Sequence, residues 1–150
     1  KKDAAHIIRK HRLTEMFLVE IMGFGWEEVH DIAEQIEHVK SPEFFKRMDK
    51  ILDQPSFDPH GSPIPDVHGN IQREQYRKLS TCEKGEKVKF MAVANSSEDF
   101  LKFLNNKDLS LETEIRILSV EPFDGSMTVS YKDRQSEILS KVVCDKLLVD

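Results

Sequence analysis

The hydrophobic period changes once along this chain, near residue 80, and that change limits the fold more than any other feature. Before it, apolar residues recur every three or four positions; after it, they alternate. Residues 3–22 read as a helix whose apolar surface is Ile8, Met16, Phe17, Val19 and Ile21, ended by Gly23 and Gly25. A second helix is predicted over 26–39, with Val29, Ile32, Ala33 and Ile36 at helical spacing. Ser41-Pro42 pairs an N-cap hydroxyl with a first-turn proline, and starts a third helix that runs to about Leu52. Four of the six prolines come next (Pro55, Pro59, Pro63 and Pro65), together with Gly61 and Gly69, which predicts an extended linker. Beyond Ser80, Val88-x-Phe90-x-Ala92, Glu114 to Ile117, and Met127-x-Val129-x-Tyr131 alternate as half-buried strands, with turns at Asp124-Gly125 and Lys132-Asp133. One short helix, about Glu98–Asn105, interrupts them, with Ser96 or Ser97 as its cap. Helices first and short strands second give an α+β chain whose second half suits a small barrel. The sequence offers no internal repeat and no low-complexity tract.

Charge is placed unevenly. The chain has 150 residues with 22 basic and 27 acidic side chains, a net charge of −5. A free-standing nucleic-acid binder usually carries a basic face, so this acidic balance argues against direct DNA binding by these residues. From Leu13 to Val39 there are seven acids (Glu15, Glu20, Glu27, Glu28, Asp31, Glu34, Glu37) and no Lys or Arg. Such a run repels itself unless water solvates it or a cation sits in it. Cys82 and Cys144 stand far apart in sequence, in no metal or disulfide spacing, which suits a reducing compartment such as the cytoplasm. Cys82 reads as a linker thiol and Cys144 as a small buried residue. No stretch approaches the ~20 apolar residues of a membrane span. The opening Lys1 to Ile8 reads as helix already under way, as expected of part of a longer protein.

The second helix carries two faces. At about 100° per residue, Val29, Ile32, Ala33 and Ile36 share one side, while His30, Glu34, Glu37 and His38 fall within an arc of roughly 100° on another. His30 and Glu34, and Glu34 and His38, are four apart; Glu34 and Glu37 are three apart, so each pair can converge on one ion. His11 and Glu15 repeat the four-residue spacing on the first helix. Imidazole with carboxylate and no thiolate suits Mn²⁺, Fe²⁺, Co²⁺ or Zn²⁺. A merely solvated helix face is the competing reading, weakened because no Lys or Arg stands nearby to pair with these acids. Glu27-x-x-His30 has the di-iron bundle spacing without the second copy such a site needs. No His-Glu-x-x-His, phosphate loop or nucleophile elbow is present. His60 and His68 read as solvated loop residues.

Together, Arg9-Lys10-His11-Arg12-Leu13 with Glu15, then Gly23, Val29-His30, and Glu34 with Glu37-His38-Val39, resemble the diphtheria toxin repressor family of metal-dependent transcriptional regulators. Pro59-His60-Gly61-Ser62-Pro63-Ile64-Pro65 is a further mark of it, and the strand-rich tail resembles that family's FeoA-type SH3-like domain. The resemblance implies a helical metal-binding and dimerisation domain over 1–72, a linker over 73–79 and a FeoA-type SH3-like β-barrel over 80–150. It also implies an upstream winged helix-turn-helix outside these residues. Carried over, His11, Glu15 and His30 match the ancillary metal site, and Glu34, Glu37 and His38 the primary one. At the helix that opens after Ser96, Asp99 falls where the barrel supplies an amide ligand and Ser96 where it supplies an acid. The iron-activated branch typically has Cys at the position of Glu34 and the manganese-activated branch Glu. The implied cofactor is therefore Mn²⁺ or Fe²⁺, with Zn²⁺, Co²⁺ or Ni²⁺ able to substitute.

The same resemblance implies a cytoplasmic, non-enzymatic metal sensor. It would be a homodimer that meets operator DNA through the upstream domain and has no membrane partner. Phe17, Ile21, Val29 and Ile36 present more apolar surface than three helices are expected to bury, which predicts a two-fold interface. The rivals are a small metalloenzyme, which needs an open coordination position and a substrate pocket, and a metal-binding adaptor that binds no DNA.

Overall fold

The computed structural model describes residues 2–150, as two compact units. The first runs to Glu74 and adds Ser97–Leu101; the second comprises Gln75–Ser96 and Lys102–Asp150.

Three helices build the first unit: α1 (Lys2–Glu20), α2 (His30–Ile36) and α3 (Pro42–Ile51). Ser41 Oγ accepts the Phe44 amide at 3.3 Å and Pro42 opens α3, as its start signal predicts. Helix α3 buries Phe45 and Met48 on Leu13 of α1, with Phe17, Ile36 and Leu52 around them. A second cluster joins Leu18 of α1 to Val29 and Ala33, flanked by Val19, Phe24 and Ile32.

Helix α2 is shorter than the predicted 26–39. At its front, the Glu28 carboxylate accepts the Gly25 amide at 2.7 Å and holds residues 25–28 in a turn. At its back, Val39 N–H donates to the Ile36 carbonyl, so Glu37 and His38 lie in a closing turn, beyond the helix. The four apolar residues expected at an interface are largely consumed inside this unit. Val29 is buried and Phe17 and Ile36 pack on Leu13, which leaves Ile21, 51% exposed, beside Met22.

The proline-rich segment is a pair of tight turns pinned to α1, where its composition predicts an extended linker. Asp58 Oδ1 accepts the amides of His60 and Ser62, each at 2.9 Å, and the Asp58 amide donates to the Ser62 carbonyl. Asp66 repeats this with His68 and Asn70, also at 2.9 Å, and Gly61 and Gly69 both take the positive φ that the turn requires. Asp-x-His-Gly-Ser/Asn is therefore a short internal repeat that the alternation of prolines conceals. Arg9 and Arg12 of α1 donate to the carbonyls of Pro65 (2.9 Å) and Pro63 (2.6 Å), fixing both turns to the helix.

The second unit is a six-stranded antiparallel sheet in the order β1-β6-β2-β3-β4-β5. Its strands are β1 (Arg77–Lys78), β2 (Lys87–Val93), β3 (Glu114–Val120), β4 (Met127–Tyr131), β5 (Arg134–Leu139) and β6 (Leu147–Val149). The register sets Val88 against Ile115, Ile117 against Val129 and Met127 against Leu139, so the alternating residues line one buried face. Helix α4 (Glu98–Asn106) comes after β2, and α5 (Lys141–Cys144) precedes β6. Cys82 is buried at 4% exposure, in contrast to its reading as a linker thiol, and Cys144 is buried as read. Among the described residues, no helix is long and apolar enough to cross a membrane.

Candidate metal centre

Helix α1 holds His11 and Glu15 one turn apart, with His11 Nε2 3.3 Å from Glu15 Oε2. Glu15 is buried, because its neighbours Leu13, Thr14 and Leu18 face the helical core. Helix α2 begins at His30, whose ring meets the His11 ring edge-on at a centroid distance of 5.1 Å. The ligand atoms of His11, Glu15 and His30 all lie within 4.8 Å of one another. His30 Nε2 also stands 3.4 Å from Glu34 Oε2, one turn further along α2.

Glu37 turns back to α1. Its Oε1 lies 2.6 Å from His11 Nδ1, and its Oε2 lies 3.6 Å from His38 Nε2. Both nitrogens of His11 thus face carboxylates. The hydrogen bond to Glu15, with the Glu37 contact and both negative charges, raises the His11 pKa above its ordinary value against the opposing effect of burial. His11, His30, Glu34, Glu37 and His38 line one open pocket of about 490 Å³.

A second group shares Glu15. Asp58, His60 and Glu15, all at least 95% buried, bring their ligand atoms within the same 4.8 Å. The His60 ring stacks on Trp26, and its Nε2 is 2.7 Å from the Trp26 carbonyl oxygen. A carbonyl only accepts, so Nε2 carries hydrogen and donates. That leaves Nδ1 directed at Glu15 Oε1, 3.7 Å away. Burial pushes the Asp58 carboxyl above the usual range, with the His60 charge and the amides of Ser62 and His60 opposing it. The nearest guanidinium nitrogen, Arg12 Nε, is 4.0 Å from Asp58 Oδ2. Two buried carboxylates and an imidazole make a donor set of the kind divalent transition metals take. The centre thus fits such a cation by its chemistry.

Residues 1–66 match the family described as "Iron dependent repressor, metal binding and dimerisation domain", and residues 77–150 match the FeoA domain. The chain is 47% identical over 62 residues to the iron-dependent repressor IdeR of Mycobacterium tuberculosis, covering 41% of this chain and 27% of that protein. It is 30% identical over 146 residues to the diphtheria toxin repressor of Corynebacterium diphtheriae, covering 91% and 63%. A manganese-dependent transcriptional repressor solved in complex with manganese superposes with a TM-score of 0.90 at 31% identity, covering 99% of this chain and 70% of that one. The chain belongs to the diphtheria toxin repressor-like family of metalloregulators. It is an α+β member with a FeoA-type, SH3-like second half. It spans only 27% and 63% of the two curated relatives named.

The structure divides the ligands implied by membership of the diphtheria toxin repressor-like family unequally. His11, Glu15 and His30 come together as one group. Glu34, Glu37 and His38 are not among the three-ligand groups of the described residues: Glu34 pairs with His30, and Glu37 with His11 and His38. Glu37 is the C-cap of α2 and keeps helical geometry, its amide donating to the Ala33 carbonyl, while its carboxylate turns to His11. Asp99, in the first turn of α4, belongs to neither three-ligand group among the described residues. Asp58 and His60 escape a reading of the sequence because a histidine among prolines and glycines reads as solvated. The signal available is the Asp-x-His-Gly-Ser turn, in which Asp caps the backbone and fixes the direction of His.

Proposed function

We propose that this chain is the metal-sensing and dimerisation part of a manganese- or iron-dependent transcriptional repressor, a non-enzymatic, cytoplasmic homodimer. Residues 1–72 form the metal-binding and dimerisation domain, 73–79 the linker and 80–150 the FeoA-type barrel. Operator DNA is bound through a domain outside these residues. One observation carries the reading: the buried Glu15 belongs to two groups of three ligand-bearing side chains, drawn from α1, α2 and the Asp58–His60 turn. The manganese held by the similar repressor supports it.

His11, Glu15 and His30 hold one cation, with Glu37 reaching His11 from the turn after α2. Glu15, Asp58 and His60 can hold another, and Glu34 and His38 complete the acidic rim together with Glu37; Asp99 is the ligand proposed from α4. A bound divalent cation supplies positive charge among carboxylates that otherwise repel. The residues do the rest. Glu15 ties α1 to both partners, His30 brings in the start of α2, and His60 brings in the Trp26 carbonyl and the turn behind it. Ligation thus favours one arrangement of three segments that are separate in sequence, which is how a metal can bias a regulator between two states.

Calorimetry with Mn²⁺ and with Co²⁺ tests this. The wild-type chain binds, His30→Ala weakens one class of site, His60→Ala weakens another, and Glu15→Ala weakens both. An absence of binding at millimolar metal overturns the proposal. The DNA part is tested by a band shift with the intact regulator, which binds its operator only with metal added.

A further inference from the structure

A second pocket, of about 430 Å³, opens on the side of α1 that His6, Arg9 and Lys10 share by their three- and four-residue spacing. Its other wall is the start of α3, with Pro42, Phe45 and Lys46, and the tip of the second turn, Val67. None of the metal-capable side chains described above lines it.

Its charge is out of character for the chain. Arg9, Lys10 and Lys46 face a single carboxylate, Asp49, in a protein whose net charge is −5. Arg9 is held by the Pro65 carbonyl and stands 3.6 Å from Asp49. Lys10 Nζ sits 5.3 Å from the centroid of the Phe45 ring and has no carboxylate partner among the described residues. Lys46 likewise has no ion pair among them. His6, also in the lining, has a buried Nε2 without a hydrogen-bond partner among the described residues. Three cations against one carboxylate, beside an orphaned ring nitrogen, are an arrangement that recruiting an anion relieves.

We propose that this pocket binds a small organic anion, with a phosphate or carboxylate head against Lys10, Lys46 and Arg9 and a flat apolar body against Phe45, Pro42 and Val67. The volume is that of a small-molecule site rather than of a lone oxyanion, and apolar walls with a few convergent polar groups are what such sites offer. Charge-assisted hydrogen bonds from ammonium and guanidinium groups fix the head. The site is independent of the metal centre and stands or falls apart from it.

The test is an amide-resolved NMR titration with phenyl phosphate, run beside inorganic phosphate and without added metal. Phenyl phosphate gives saturating shifts at residues 6–10 and 45–49 and binds at least about fivefold tighter than inorganic phosphate. The paired substitution Lys10→Gln with Lys46→Gln weakens it by about tenfold or more, while Lys84→Gln in the second unit changes nothing. Both lysines reach solvent, and unchanged amide dispersion in the paired variant establishes that it is folded; if it is not, Lys46→Gln alone serves. Shifts that never saturate, an affinity unchanged in the variant, or equal affinity for the two phosphates would each overturn the proposal.

Discussion

Glu37 Oε1 lies 2.6 Å from His11 Nδ1, although 26 residues separate the two in sequence. The contact joins the turn after α2 to the helix that carries Glu15, so the two ligand sets expected to be separate share a hydrogen-bonded bridge. Residues in one such network lose energy non-additively when removed. Mn²⁺ affinity measured for His11→Ala, Glu37→Gln and the double variant is expected to show a combined loss smaller than the sum of the single losses. Additive losses would separate Glu37 from the His11 site.

The core beneath the centre sets its geometry. Leu13 lies between His11 and Glu15 on α1 and is buried against Phe45 and Met48. Leu13→Ala removes that packing and leaves a cavity, at a cost of about 2–5 kcal/mol. Urea unfolding followed by helical circular dichroism is expected to show a lower midpoint for the first unit. A midpoint within experimental error of wild type would mean that the site collapses around the smaller side chain.

Burial pushes the Cys144 thiol up to about 12, with the Asp145 charge adding to it. The Cys82 thiol is also raised by burial. At pH 8 an ordinary thiol of pKa about 8.5 is roughly a quarter thiolate, whereas one at about 12 is ionised in roughly one molecule in ten thousand. Alkylation by iodoacetamide is therefore expected to be slower at Cys144 by about three orders of magnitude in the folded protein than in urea. Mass spectrometry of the labelled protein reads this directly, and rapid labelling of the native state would show that the 139–144 segment opens.

Much of this is legible in the sequence, and the rest is hidden for physical reasons. The alternation in β2, β3 and β4 is visible because each strand buries one face. Strand β5 is not, since Arg134 to Glu137 are polar throughout, and β6 has only three residues. His11, Glu15 and His30 can be read from helical spacing and from the resemblance. The ends of α2 cannot: Glu28 is a helix former whose carboxylate instead holds the Gly25 amide in a turn, and at the other end Val39 N–H closes on the Ile36 carbonyl. Local sequence also cannot distinguish His60 from His68. Both come two residues after Asp in the same capped turn, yet one is buried beside Glu15 and the other is solvated, and only packing against Trp26 and α1 separates them.

In the proposed regulator, metal selectivity is assigned to Glu34. It is exposed on α2, with Oε2 3.4 Å from His30 Nε2, and so lies within reach of the His11 group as well as of the acidic rim. A thiolate is softer than a carboxylate, and Glu34→Cys is expected to shift preference from Mn²⁺ toward Zn²⁺ and Co²⁺. The backbone need not move, because a Zn–S bond is longer than a Zn–O bond by only about 0.2 Å. Exposure also means that the substitution removes no buried packing, so a change in metal preference is not confused with loss of fold. The measurement is competition between Mn²⁺ and Co²⁺ under anaerobic conditions, where a thiolate–Co²⁺ charge-transfer band reports sulfur ligation in the variant alone. If that band is absent and Mn²⁺ is held as tightly as in wild type, Glu34 does not touch the metal, and the manganese-leaning assignment loses its basis.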